Sequence, residues 1–299
     1  MPLSNSVIIC TYNRQEDLAR CLHSLQQQTA PPTEIIIVDA TPKELQSPVA
    51  MAPLLNQERY NGAQLFYLQT QKGLTIQRNI GIAQATGDII YFFDDDVILE
   101  PDYLAQMQEQ FQTKSHYVGG MGAVTNVPAP ASNKYHLFRR LFFLQRDHAD
   151  GRFTLSGMPT HAYGRTAFMN VEALGGCCMA FRRSALQKET FDEKLAHYAY
   201  MEDADMAWRV GKQGPLFYTP AARLAHMHSP ISRDNIIKNR AMFMRNYRYL
   251  FFKNIYPQHP KRICAHWWSI IGLFLQAIIL GHYDEIKGYM LGLKSDYHE

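Results

Sequence analysis

Three consecutive carboxylates, Asp94, Asp95 and Asp96, follow the apolar run Ile89 to Phe93. Adjacent like charges repel, so a folded chain keeps such a cluster ionised most readily where a cation offsets the repulsion. Hard divalent ions such as Mg²⁺ or Mn²⁺ take carboxylate oxygens, and Mg²⁺ sites commonly combine one or two carboxylates with substrate phosphates. A solvated turn after the strand is the plainer reading. Yet ligands of open α/β sheets bind beyond the carboxyl ends of the strands, and the cluster falls at such an end.

The elements that must position these acids follow from periodicity. Ser6 to Cys10 and Glu34 to Val38 are β-rich apolar runs, and Ala63 to Leu68 alternates like a third strand. Helical spacing predicts helices over Gln15 to Gln28, over Leu74 to Ala85 and after Pro101. Asn13 with Glu16 three residues on predicts a capping box. Strands alternating with helices over the first hundred residues argue for a parallel, doubly wound half. Asp39 and Asp94 to Asp96 end two strands, and the loop carrying Thr11 and Asn13 ends another, the convergence a nucleotide site at a switch point needs. Neither GxGxxG nor GxxxxGK[ST] occurs.

The second half is organised differently. Tyr117 to Val124 reads as a strand, and Leu174 to Arg183 as a glycine hinge running into another. Glu202 and Asp203 open a helix to about Lys212, where the N-terminal partial charge favours ionised carboxylates. Gly214 to Thr219 and Arg223 to His228 read as two short strands.

The 299 residues suffice for one large α/β domain or two modest ones, and a net charge of +3 is too small to imply nucleic acid as a partner. The five cysteines form no CxxC pair and no zinc spacing, which points to a reducing compartment. The N-terminus enters a strand within ten residues, so no signal peptide is expected.

The motif order resembles that of inverting family 2 glycosyltransferases with the GT-A fold. The matching pieces are Thr11-Tyr12-Asn13-Arg14, Val38-Asp39, Gln77 to Gly81, Asp94-Asp95-Asp96, Gly175-Gly176 with Met179 to Arg183, Glu202-Asp203, and His226-Met227-His228. They cover residues 1 to about 230. The chain departs from many members at Asp39-Ala40, where a second acid is common. The resemblance implies an α/β GT-A fold with a mostly parallel central sheet flanked by helices. Residues 1–230 would form the catalytic domain, with a nucleotide-binding half (1–100) and an acceptor half (101–230).

The roles implied are these. Thr11, Asn13, Arg14, Asp39, Arg78, Asp94 and Asp95 would bind a nucleoside diphosphate sugar. Asp39 would accept from the imide N–H of uracil or thymine, favouring UDP or dTDP; a strand-end cap is its alternative. Arg78 near the nucleotide has the alternative of pairing with a nearby acid. Asp95 would approach the ribose, Asp96 would be the direct ligand of Mn²⁺ or Mg²⁺ with Asp94 in support, and His228 would be the third ligand in preference to His226. Asp203 would be the general base and Glu202 would orient the acceptor, against the alternative of helix capping by acids.

From Ser229 to Cys264 the chain carries eight Lys and Arg against Asp234 alone, with aromatics interleaved. Ser232 is a candidate helix cap there. Trp267 to Leu280 is nearly all apolar but short for a span of about 20 residues. Residues 231–299 therefore read as a helical tail in peripheral contact with a membrane, with internal packing or a dimer contact as alternatives. The acceptor would be a carbohydrate or lipid-linked glycan, and the location the cytoplasmic face of the membrane. A nucleotidyltransferase and an inactive membrane scaffold are the rival readings. Product analysis separates the first, which releases pyrophosphate from a triphosphate, and donor hydrolysis with Mn²⁺ that is lost in Asp96→Ala removes the second.

Overall fold

The computed structural model describes residues 3–127, 132–147, 149–228 and 235–295. Strands β1 (Asn5–Thr11), β2 (Glu34–Asp39), β3 (Gln64–Gln69) and β4 (Ile89–Asp94) lie in the order β3-β2-β1-β4, all parallel. Helices α1 (Gln15–Gln26), α2 (Pro48–Leu54) and α3 (Leu74–Gln84) connect them. β1, β2 and β4 are buried along almost their whole length, as strands covered on both faces must be. Parallel register brings their carboxyl ends to one edge, with Thr11 opposite Asp39 and Cys10 opposite Asp94.

The acidic run is not one continuous strand. Asp95 and Asp96 form a turn, and β5 (Val97–Leu99) leaves the parallel layer. After α4 (Tyr103–Thr113) come β6 (Gly119–Val124), α5 (Asn133–Leu141), β7 (Met169–Val171), β8 (Met179–Arg182), the single turn α6 (Arg183–Leu186), α7 (Glu202–Val210) and β9 (Leu216–His226). The sheet continues β4-β8-β6-β9-β5, with β7 also on β9. β8 runs antiparallel to both its neighbours, while β6 and β9 are parallel. The sheet is thus parallel in its first half and mixed beyond it. The two short strands expected after Gly214 are one strand of eleven residues. Its pairing with β5 puts Val97 opposite His226.

The expected capping box does not form. Asn13 takes a left-handed φ of 53°, and its N–H donates to Thr41 Oγ1 at 2.7 Å. Arg14 is the helix's N-cap residue, without a side-chain cap bond.

The C-terminal helices are α8 (Ile236–Leu250), which runs into a π-helical turn at Phe251–Ile255, α9 (Ile263–Ile279) and α10 (Tyr283–Lys294). Asn235 caps α8 by accepting from Lys238 N–H, and Ser232 lies outside the described residues. Met244, Tyr247, Ile270, Leu273 and Tyr289 bury themselves with Phe142, Leu195, Ala199 and Ala204. The tail therefore shares a hydrophobic core with the second half of the sheet domain.

Candidate active site

Two positioned groups of side chains make the site. The first is the turn after β4. Thr11 Oγ1 donates to Asp95 at 2.7 Å and Arg14 Nη1 lies 2.9 Å from the same carboxylate. Arg14 also reaches Asp96 at 3.7 Å. Asp95 is thus engaged by the end of β1 and the start of α1. Burial pushes its carboxyl up to about 7 despite Arg14 and Thr11. Asp94 is raised too, chiefly by burial, with Arg78 and His226 opposing.

β9 supplies an imidazole to this turn. His226 Nε2 lies 3.0 Å from Asp96 Oδ1 and 3.8 Å from Asp94 Oδ2. Burial disfavours charge on the ring, but the neighbouring groups, the Asp96 carboxylate first among them, outweigh it and lift His226 to about 10. One ligand atom each from Asp94, Asp96 and His226 lies within 4.8 Å of the others. Two hard carboxylate oxygens and one imidazole are a donor set suited to Mn²⁺, and to Mg²⁺ less naturally because of the nitrogen. Carboxyls raised by burial and crowding are those that a cation would return to the ionised form. The residues fit a divalent ion.

His228 does not take the expected place. Its exposed ring lies 4.0 Å, centroid to centroid, from that of His226, and its φ is 51°. The strand ends at His226, whose partner Val97 directly follows Asp96, so register delivers His226 to the acids.

The second group is the N-terminus of α7. Asp203 Oδ2 accepts from Gly176 N–H at 2.8 Å, and Oδ1 accepts from Ala204 N–H at 2.7 Å. These bonds orient the half-buried carboxylate. Glu202 is buried and bonded to Arg78, 2.5 Å from Nη1. Burial raises the Glu202 carboxyl, Asp203 adds to this, and Arg78 opposes both.

Arg78 joins the two groups. Its Nη2 donates to Gly176 O at 3.0 Å and lies 3.4 Å from Asp94 Oδ1. The side chain is 3% exposed. The guanidinium is enclosed by protein acceptors, the pairing with nearby acids that was the alternative to a nucleotide contact. Gly176 completes the junction, since a Cβ there would meet Glu202 Oε1 at 3.0 Å and Arg78 Nη2 at 3.3 Å. Gly176 thus joins the two groups: its N–H holds Asp203, and its carbonyl accepts from Arg78, which also reaches Asp94.

An open cavity of about 520 Å³ adjoins the ends of β1 and β2, lined by Tyr12, Thr41, Pro42, Gln69, Thr70 and Lys72 among others. Lys72 Nζ sits 3.8 Å above the Tyr12 ring. Asp39 lies just behind this wall, buried, with Thr41 N–H on one oxygen and Tyr67 O–H on the other, both at 2.7 Å. Its placement shapes the wall through Thr41 and Tyr67. Gln77 Nε2 ties the ends of β1 and β2 together through Thr11 O and Val38 O. Tyr12, Lys72 and Gln77 were missed by sequence reasoning, although Tyr12 and Gln77 lie inside the motifs that carried it.

Known proteins resemble this chain in sequence and in fold. The chain is 27% identical over 235 residues to the amylovoran biosynthesis glycosyltransferase AmsB of Erwinia amylovora, covering 76% of this chain and 70% of that one. It is 29% identical over 155 residues to the uncharacterized glycosyltransferase YwdF of Bacillus subtilis, spanning 52% of this chain and 55% of YwdF. Among solved structures, GalNAc-T7 with UDP, GalNAc and Mn²⁺ superposes with a TM-score of 0.61 at 16% identity, over 88% of this chain and 51% of that one. The mannosyltransferase PcManGT from Pyrobaculum calidifontis, in complex with GDP-Man and Mn²⁺, gives 0.59 at 15% identity, over 99% and 82%. Such likenesses establish the GT-A fold. The model of glycosyl transferase family 2 matches residues 6–190, more than half of the chain, and the chain belongs to that family.

Proposed function

We propose that this glycosyltransferase moves a sugar from a nucleoside diphosphate donor to a hydroxyl acceptor with inversion, using Asp203 as general base. The observation that carries the reading is Gly176, whose N–H binds the Asp203 carboxylate while its carbonyl accepts from Arg78, which lies 3.4 Å from Asp94 of the Asp94, Asp96 and His226 cluster. A base beside a diphosphate-binding cluster is what single displacement at an anomeric carbon requires.

Asp94, Asp96 and His226 would hold Mn²⁺ or Mg²⁺, and the bound ion would neutralise charge on the departing diphosphate. Thr11 and Arg14 keep Asp95 at the ribose side of the cluster. The cavity between Tyr12, Thr41 and Lys72 receives the base. UDP or dTDP is the favoured donor nucleotide, through Asp39 and the wall it organises. The backbone at Gly175 and Gly176 approaches the donor sugar. Asp203 takes the proton of the acceptor hydroxyl as its oxygen bonds to the anomeric carbon. The bond from that carbon to the diphosphate oxygen breaks on the opposite face, and nucleoside diphosphate leaves. Glu202, held by Arg78, stands beside the base and orients the acceptor.

The acceptor is a carbohydrate or a lipid-linked glycan in polysaccharide or glycan assembly, met where the C-terminal helices contact the cytoplasmic face of a membrane. In support, one relative is named for amylovoran biosynthesis, and another, of Haloferax volcanii, is named a glucosyl-dolichyl phosphate glucuronosyltransferase. Thermal shifts with a panel of nucleoside diphosphates, with and without Mn²⁺, test the donor. Stabilisation by UDP or dTDP that requires Mn²⁺ is expected. Equal stabilisation without the ion would oppose the reading.

A further inference from the structure

The exposed face of α9 is apolar where a soluble helix is polar. Trp267, Trp268, Ile271, Leu275, Ile278 and Ile279 are each 38–70% exposed and fall on one stripe of the helix. The opposite side, His266, Ser269, Ile270, Leu273 and Ala277, is buried in the second core. Pro260–Ile279 is long and apolar enough to cross a membrane, yet a third of it is buried inside the protein. Crossing would tear His266 from Ser156 O and Ser269 from Tyr247 O–H. The stripe therefore meets lipid from the side.

The stripe does not end with α9. α5, an element of the catalytic half, is fastened to it: Trp268 Nε1 donates to Leu141 O at 2.9 Å, and Arg139 Nη1 to Gln276 Oε1 at 3.1 Å. The Phe142 and Trp268 rings stack with centroids 4.9 Å apart. Gly272 makes this approach possible, since a Cβ there would lie 2.3 Å from that of Phe142. α5 adds Leu137 and Leu141, 70% and 62% exposed.

Charge selects the partner. α5 carries Lys134, Arg139 and Arg140 and no acid. No Asp or Glu occurs from Asn235 to Tyr283, while Lys261 and Arg262 lead into α9. A face of tryptophans and aliphatics where Lys134, Arg139, Arg140, Lys261 and Arg262 outnumber the one acid beside them, Asp147 at 3.9 Å from Arg140, complements anionic headgroups and repels a second copy of itself. We propose that α5 and α9 form one docking face that lies flat in an anionic bilayer surface. This deepens the membrane-contact reading above by making the catalytic half part of the contact. Asn126, just after β6 on the path to α5, exchanges hydrogen bonds with His226, at 2.8 and 2.9 Å. Docking thereby sets the height of the site above the lipid and suits an acceptor carried on lipid.

The test uses the full chain and flotation with vesicles of phosphatidylcholine alone or mixed with phosphatidylglycerol. Binding to the mixed vesicles, released by carbonate without detergent, is expected. Leu137→Ser with Leu141→Ser should weaken it at least tenfold, as should Ile271→Ser with Ile278→Ser. Lys134→Glu with Arg140→Glu gives the same loss without altering apolar packing. Thermal shift by UDP with Mn²⁺ reads folding and the nucleotide site separately, and should persist in all three. Loss of binding in the α9 pair but not the α5 pair or the charge pair would overturn the composite face and leave tail-only contact standing. Extraction only by detergent would overturn flat docking. Failure of wild type to float, with dimers that the same pairs dissociate, would assign the face to a second copy.

Discussion

Arg78 Nη1 and Glu202 Oε1 lie 2.5 Å apart although 124 positions separate the residues. Both side chains are under 10% exposed. The pair holds the middle of α3 against the start of α7, and so ties the parallel half of the sheet to the helix that carries Asp203. Removing one partner of such a pair leaves a buried charge uncompensated, at a cost of about 3–5 kcal/mol. Arg78→Met is expected to lower the urea midpoint by that equivalent and to abolish transfer. Arg78→Lys should recover part of the stability, because one ammonium cannot reach Glu202, Asp94 and Gly176 O in the planar geometry of a guanidinium. Wild-type stability in Arg78→Met would show that the two halves are held by other contacts.

His226 and His228 divide by position rather than by residue type. Loss of one ligand typically weakens a metal site by at least the 10–100-fold that loss of an outer partner costs. His226→Ala should therefore weaken Mn²⁺ binding in the presence of nucleoside diphosphate by about 100-fold, read from the electron paramagnetic resonance signal of free Mn²⁺. His228→Ala should change it by less than about threefold on the same reasoning. The reverse order would return the imidazole ligand to His228.

The π-helical turn after α8 is tied to α7 by charge. Lys253 Nζ lies 2.6 Å from Asp192 Oδ2 and 2.9 Å from Asp205 Oδ1, and Asn254 Nδ2 donates to Asp205 at 2.9 Å. Arg209 holds the other Asp205 oxygen. Asp205 is fully buried, so a lost donor has no water to replace it. Lys253→Met should destabilise the chain by about 2–4 kcal/mol, discounted from a fully buried pair because Lys253 is a quarter exposed. A melting temperature unchanged within about 1 °C would remove the network from the account.

His266 makes stability sensitive to acid. It is wholly buried, stacked on Phe251, with Nδ1 3.1 Å from Ser156 O. Burial pushes its folded value down to about 4, against the hydrogen bond to Ser156. The unfolded imidazole titrates near 6.5, so between those values the unfolded chain binds more protons. Stability is then full above about pH 6.5 and falls as pH drops toward 4, by about 3 kcal/mol in all. Urea midpoints measured from pH 7 to pH 4 should show this loss, and His266→Phe should flatten it. An equal slope in the variant would assign the acid sensitivity to other groups.

The parallel half was legible because its strands are apolar runs ended by an acid or a polar loop, and period alone marks them. What register decides was not legible. β5 has three residues, too few to announce a partner, so the placement of His226 rather than His228 beside Asp96 is visible only once Val97 is seen opposite His226. Arg78 sits next to Gln77 in sequence, but its three acceptors arrive from β4, the 175–176 turn and α7, and no local pattern encodes that meeting. α9 is apolar on every side, so composition could not say which face is covered. The structure covers the side with His266, Ser269 and Gly272, the small and polar positions, together with Ile270 and Leu273, and leaves Ile271, Leu275, Ile278 and Ile279 outside.

The most direct test of the account is transfer by Asp203→Asn, measured with a nucleoside diphosphate sugar, Mn²⁺ and acceptor while donor affinity is followed in parallel. The amide preserves shape but cannot take the acceptor's proton. A loss of kcat of about 10²–10⁴-fold with donor binding intact is the predicted result. Turnover at the wild-type rate would contradict the assignment of Asp203 as the base.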